Sequence, residues 1–314
     1  MKKDSYKCLV LYTIMSTYFL HKNRSSSISS GTSKYYIKCD AVDTANRIEI
    51  VKLLQKQKDE DSRVLLAYLK KNHNKVNIVV KMGRENTTIR KEYSISENLH
   101  KTKCSGFIKF ICIFECYDDN SSDKICQGIP EQDTKKEVLI MKYFNEGSVK
   151  SHSWTNANFH ILRSILIQTI YSLVVAYEKT GFIHNDLHLD NILVKRTTRT
   201  HSNYLIDNLD NIEMETNNYT CVIMDFENCL FTDKGSPIFF WKMIENIITR
   251  VGIELTNNKG DKVEVSNIYD ILSYISKNKN NDYLRVLDII PLIEQMEFTL
   301  LSLPKMMAYD SNMF

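Results

Sequence analysis

The chain has 314 residues, 43% of them hydrophobic and 25% charged, with a formal net charge of +3. That composition excludes a disordered chain, and the length suits a two-lobed domain or two small ones. So small a charge argues against nucleic acid as the main partner.

Eight cysteines are scattered along the sequence. Cys104, Cys112, Cys116 and Cys126 group loosely, but no C-x-x-C pair occurs and their spacing fits no zinc site. Reduced thiols in an intracellular protein are therefore expected. Lys2 and Lys3 precede an apolar run, 8–20, with the outline of a signal-peptide core. Thr and Ser interrupt it, it is too short to span a bilayer, and no small-residue cleavage site follows. A packed N-terminal element is expected, and no membrane partner.

In chain order, 25–39 reads as strand, small-residue turn and strand around Gly31. Residues 47–71 carry Ile48, Ile50, Val51, Leu53, Leu54, Val64, Leu65, Leu66 and Leu69 among Lys, Glu and Gln, which predicts one or two amphipathic helices. Val76 to Met82 is β-branched and reads as a strand that reaches Lys81. The next stretch, 88–100, is helical in pattern, with Glu92, Ile95 and Leu99 on one face and Glu97 off it. Two strands, 106–114 and 137–144, flank a polar loop. The clearest helix runs from Phe159 to Thr180, with Asn156 or Asn158 to cap its start and Gly181 its end. His160 falls in its first turn, as a surface residue. Farther on, 204–207 and 212–215 suggest an added hairpin, and 237–250, 266–277 and 282–303 read as helices, the last bent at Pro291.

The chain is organised around Gly181-Phe-Ile-His-Asn-Asp-Leu-His-Leu-Asp-Asn-Ile-Leu-Val194, an apolar run, a polar loop and a β-rich exit. Phosphoryl transfer needs a carboxylate to take a proton from the attacking hydroxyl and an amide oxygen a few residues on to hold a metal ion. Asp186 and Asn191 have that spacing, with His184 two residues ahead. Downstream, Cys221-Val-Ile-Met-Asp-Phe226 is a β run that delivers a second acidic residue, Asp225.

In these motifs and their order the chain resembles the protein-kinase superfamily, specifically over 181–226 and architecturally over roughly 25–250. The added hairpin and the D-L-H-x-x-N loop resemble haspin-like kinases and kinases of large DNA viruses. The resemblance implies an α+β, two-lobed protein-kinase-like fold: residues 1–144 as a β-rich lobe with helical insertions and hinge, 145–314 as a mainly helical lobe. It also implies ATP and Mg²⁺ as cofactors. Lys81 would clamp phosphates, Glu92 would hold Lys81 (with Glu97 as the fallback), and Gly31 would lie in the phosphate loop. Met141, Lys142 and Phe144 would border the adenine, Asp186 would act on the acceptor, and Asn191 and Asp225 would hold metal.

Three positions depart from the family. Asn185 stands where many members carry an arginine that reads a phosphate on the activation loop, so a constitutively formed site is expected. His188 stands where Ser/Thr protein kinases place a lysine, and it could offer an N–H or a charge to the phosphoryl group. Glu227 replaces the glycine of D-F-G. The last two features are shared with choline-kinase-like and aminoglycoside-kinase-like enzymes. The expected function is Mg-ATP-dependent phosphorylation of a protein Ser or Thr hydroxyl by a monomer. The alternatives are a small-molecule phosphotransferase with the same chemistry, and a catalytically inactive binding module.

Overall fold

A computed structural model of the chain describes residues 41–56, 62–71, 74–84, 88–119, 124–130, 132–206, 211–233, 237–255 and 263–300. The expected N-terminal element and the turn around Gly31 lie outside them. All of the described residues belong to one unit, 38–314.

A short helix, α1 (Ala41–Asn46), leads into a five-stranded antiparallel sheet. Its strands are β1 (Ile48–Lys56), β2 (Arg63–Lys71), β3 (Asn74–Arg84), β4 (Phe110–Asp118) and β5 (Thr134–Lys142), in the order β1-β2-β3-β5-β4. The amphipathic helices expected over 47–71 are thus replaced by two strands. Apolar doublets such as Leu53-Leu54 and Leu65-Leu66 satisfy either period, and the β-branched Ile48, Ile50, Val51 and Val64 favour extended backbone. Burial follows the period of two, since Leu65 and Ala67 are inside while Val64, Leu66 and Tyr68 are only partly covered.

The same alternation gives the sheet two working faces. Ile78, Val80 and Met82 of β3 pack with Val138 and Ile140 of β5, Cys112 and Phe114 of β4, and Ile125. Lys81 falls between Val80 and Met82 and so points to the other face, where Leu139 and Met141 join the main core. On that side lies α2 (Thr88–Lys101), which buries Ile89, Glu92, Tyr93, Ile95, Ser96 and Leu99. Arg90 of α2 reaches both Glu115 on β4 and the fully buried Glu137 on β5, tying helix to sheet. Between β4 and β5 the chain is closed by a disulfide, Cys116–Cys126, and Cys112 is disulfide-bonded as well. Reduced thiols therefore hold only for Cys104, Cys221 and Cys229 among the described residues. Disulfide connectivity is not encoded in spacing, and the loop's fold brings the pair together.

The second half is built on α3 (Phe159–Thr180). By length and composition this helix could cross a membrane, and 78% of its most apolar stretch is buried inside the protein. Asn158 precedes it without capping it through its side chain, and its Oδ1 instead accepts from Thr155 N at 2.7 Å. Gly181 ends it at φ 71, donating its N–H to Tyr177 O, and an added Cβ would stand 2.0 Å from Thr232 O, so only glycine fits. Two short pairs follow: β6 (Phe182–Ile183) with β11 (Leu230–Phe231), and β7 (Ile192–Arg196) with β10 (Tyr219–Ile223). The added hairpin is present as β8 (His201–Tyr204) and β9 (Ile212–Glu215), its first strand beginning three residues before the expected one.

Next comes α4 (Ile238–Glu254), which buries Phe240, Trp241, Met243, Ile244, Ile247, Ile248 and Val251. After β12 (Val263–Val265) and α5 (Ile268–Asn278), the helix expected over 282–303 breaks into three pieces. These are a 3-10 turn (Tyr283–Ile289), a short helix α6 (Ile290–Glu294) and a strand β13 (Phe298–Leu300) paired with β12. Pro291 lacks the N–H that a continuous helix would use, and it starts a new helix instead of bending an old one.

Candidate phosphoryl-transfer site

Three elements distant in sequence converge on one point. Lys81 arrives from β3, and its Nζ forms a buried ion pair with Glu92 of α2. The same Nζ lies 3.7 Å from Oδ1 of Asp225, at the end of the segment leaving β10. Glu92 was the face-based choice over Glu97, and it is the residue that meets Lys81. Asp225 has φ 67, a left-handed conformation uncommon outside glycine and enriched at functional sites. The next residue, Phe226, is fully buried among Phe107, Phe110, Phe182 and the His184 ring, so an aromatic cluster anchors the turn that carries Asp225.

Burial makes the charge balance of this centre unusual. It pushes the Glu92 carboxyl up to about 7 despite the pull of the neighbouring Lys81 ammonium. For Lys81 burial acts to lower the pKa, but the charges of Glu92 and Asp225 outweigh it and leave the ammonium above its usual value. Lys81 thus stays charged while Glu92 ionises around neutrality. Carboxylate oxygens of Glu92, Asp225 and Glu227 all lie within 4.8 Å of one another, and Asp225 Oδ1 is buried without a hydrogen-bond partner. Three acids around the Lys81 ammonium, with an Asp225 oxygen left without a hydrogen bond, form a donor set suited to a hard divalent cation.

A pH dependence follows for the metal-free protein. Glu92 holds its proton up to about 7 when folded, against 4.5 for an ordinary glutamate. Between those values the folded chain binds the extra proton, so this contribution to stability is complete below 4.5 and is lost as pH rises through 7. Glu92→Gln removes it. Melting temperatures in EDTA should show the parent's margin over Glu92→Gln shrinking from pH 5 to 7.5. A margin independent of pH would contradict the assignment.

The loop of 184–191 lies beside this centre. His184 is fully buried, and since a carbonyl can only accept, its Nε2 carries the proton and donates to Met224 O at 2.8 Å. Burial lowers its pKa and keeps the ring neutral. This bond ties the loop to the residue before Asp225. Asn185 is left-handed at φ 58 and exposed, as is Asp186. Asn191 is buried in a 3-10 turn (Leu189–Asn191), donates from Nδ2 to Asp186 O at 3.0 Å, and accepts Met224 N on its own carbonyl at 2.9 Å. Its amide oxygen, the atom suited to a hard cation, is not used by these bonds. One oxygen of Asp186, Oδ2, accepts from Asn228 Nδ2 at 3.1 Å.

The remaining candidates sit as follows. Met141 is buried on β5 opposite Val79, Lys142 is exposed opposite Ile78, and Phe144 packs on the main core just beyond the strand. Gly31 lies outside the described residues. The His188 ring stands 3.7 Å from Asp190 Oδ2, and Asp190 also takes Lys150 Nζ at 3.0 Å. His160 is exposed, as expected. Sequence reasoning gave Glu227 no metal-holding part, although its place two residues after Asp225 was a visible signal. Asn228 went unnoticed because no local pattern marks it.

No protein-family model matches the chain. A Dictyostelium discoideum protein named a probable serine/threonine-protein kinase is 37% identical over 81 residues, which is 24% of this chain and 6% of that protein. An Acanthamoeba polyphaga mimivirus protein, also provisionally named a serine/threonine-protein kinase, is 26% identical over 196 residues, 55% of this chain and 39% of its own length. An uncharacterized Caenorhabditis elegans protein is 24% identical over 145 residues, 46% of this chain and 47% of its own. The chain spans less than half the length of each of these relatives. It is a mixed α+β protein with distant similarity to proteins named as kinases.

Proposed function

We propose that the chain is a Mg-ATP-dependent phosphotransferase of protein-kinase-like, two-lobed fold, acting on a Ser or Thr hydroxyl of a protein. The observation that carries the reading is the meeting of Lys81, Glu92 and Asp225 at a point to which the Asp186 loop is tied through the bonds of His184 and Asn191 to Met224, the residue before Asp225. The kinase names of two distant relatives agree with it. The extra hairpin β8–β9 between β7 and β10 supports the likeness to haspin-like and large-virus kinases.

In this reading Lys81, charged at working pH, draws the phosphates of ATP to the sheet, and Glu92 holds the ammonium in place. Asp186, exposed at the loop tip, orients the acceptor hydroxyl and takes its proton as the hydroxyl oxygen bonds to the γ-phosphorus of ATP, while the bond from that phosphorus to the bridging oxygen breaks and ADP leaves. Asn191 and Asp225 would hold Mg²⁺, with Glu227 close enough to share it. The metal would neutralise charge developing on the transferred group. Met141, Lys142 and Phe144 would border the adenine, and His188 would lie beside the acceptor.

A second reading, phosphorylation of a small alcohol, is favoured by the carboxylate of Glu227 standing beside Asp225. Incubation with γ-labelled Mg-ATP, a mixed protein pool and a panel of small alcohols separates the two. Label on Ser or Thr of protein is the expected result, and label confined to small alcohols would move the assignment to the second reading. Transfer to neither, with no nucleotide binding, would leave the chain a binding module.

A further inference from the structure

Asn228 makes a contact that neither packing nor stability accounts for. It occupies an exposed turn, and its side-chain Nδ2 donates to Asp186 Oδ2 at 3.1 Å across 42 residues of sequence. A single hydrogen bond between exposed side chains adds little to folding. The turn is nevertheless held from several directions. Lys91 Nζ of α2 donates to the carbonyl of Glu227 at 2.6 Å, Cys229 N donates to Phe226 O at 3.2 Å, and the buried Cys229 thiol donates to His184 O at 3.2 Å. The residues on either side of Asn228 are therefore tied down, Glu227 by its carbonyl and Cys229 by its amide and thiol.

A carboxylate has two oxygens, and a base that must meet a hydroxyl in one geometry works best when only one is offered. We propose that Asn228 is the positioning residue for Asp186: its amide occupies Oδ2, fixes the rotation of the carboxylate and leaves Oδ1 to the acceptor hydroxyl. The inference rests on the phosphotransferase reading and adds to it a residue that no general requirement of phosphoryl transfer supplies. Asn228 acts here through its contact with Asp186. Its effect passes entirely through Asp186, so it should appear in the rate of transfer and not in ATP binding.

Three replacements at one position test this. Asn228→Leu keeps the approximate size and removes the donor. Asn228→Asp keeps the shape and sets a second carboxylate against Asp186. Asn228→His keeps an N–H, because Nδ1 of histidine is as many bonds from Cα as Nδ2 of asparagine. With γ-labelled Mg-ATP and a mixture of dephosphorylated casein and histone as acceptors, Asn228→Leu should lose about tenfold in kcat, with KM for ATP within about twofold of the parent. Asn228→Asp should lose at least as much, and Asn228→His should recover most of the rate. Melting temperatures should stay close to the parent in all three.

Parent-like kcat in Asn228→Leu overturns the positioning role, as does Asn228→His with no more activity than Asn228→Leu. A loss of rate matched by a loss of melting temperature would make the contact structural and also overturn the role. A parent chain that transfers phosphate to neither protein acceptor, nor to a panel of small alcohols, nor to water overturns the phosphotransferase reading itself, and the role of Asn228 falls with it.

Discussion

Asp186→Asn should lower turnover by about 10²- to 10⁴-fold while leaving nucleotide binding nearly intact. The substitution is close to isosteric, and the exposed loop tip leaves it little packing to disturb. Asn191 donates to the backbone carbonyl of residue 186, not to its side chain, so its amide stays anchored in the variant. In the proposed mechanism, what disappears is the basic oxygen that would receive the hydroxyl proton. Asn228 would then face an amide and could still be satisfied, because the new carboxamide retains one acceptor oxygen. Rates measured with saturating Mg-ATP, beside a melting shift with the same nucleotide, separate the chemical step from binding. Turnover at the parent rate would remove Asp186 from the mechanism. Loss of the melting shift would show that the loop organises the nucleotide site as well.

Which parts of this site were legible in the sequence follows from how local each determinant is. The resemblance implied a glutamate partner for Lys81, and a period near 3.6 along α2 singled out Glu92 over Glu97, the residue whose carboxylate meets Lys81 in the structure being Glu92. Asp186, Asn191 and Asp225 were singled out by their spacing after apolar runs, and the structure sets Asp225 beside Lys81 and Asn191 within hydrogen-bond reach of the Asp186 carbonyl. The strands over 48–71 were misread because apolar doublets suit both periods, and pairing with β3, a tertiary contact, settles the matter. The Cys116–Cys126 pair and the β12–β13 pairing are also set by tertiary placement. Least legible was the link from Asn228 to Asp186. It exists because Asp225 takes a left-handed backbone and the phenyl ring of Phe226 is buried, which together turn residues 227 and 228 back toward the loop. Nothing at position 228 announces that turn.

Asp225→Asn should abolish most of the Mg²⁺-dependent part of nucleotide binding while leaving the metal-free protein close to the parent in stability. Both expectations come from the same electrostatics. Without metal, Asp225 Oδ1 lies 3.7 Å from the Lys81 ammonium and its carboxylate within 4.8 Å of those of Glu92 and Glu227, so neutralising it gives up an attraction along with a repulsion. With metal, that oxygen is the charge that would bind Mg²⁺ and through it the phosphates. A ligand at about 100 times its Kd stabilises by about 2.7 kcal/mol, which for a chain of this size is a rise of several degrees in melting temperature. The parent should show that rise when Mg²⁺ is added to ATP, and Asp225→Asn should lose most of it. Lys81 and its ion pair with Glu92 remain in the variant, so metal-free ATP should bind both proteins alike. An undiminished Mg²⁺ increment in Asp225→Asn would take the metal away from Asp225. An increment absent from the parent too would count against a Mg-ATP site altogether.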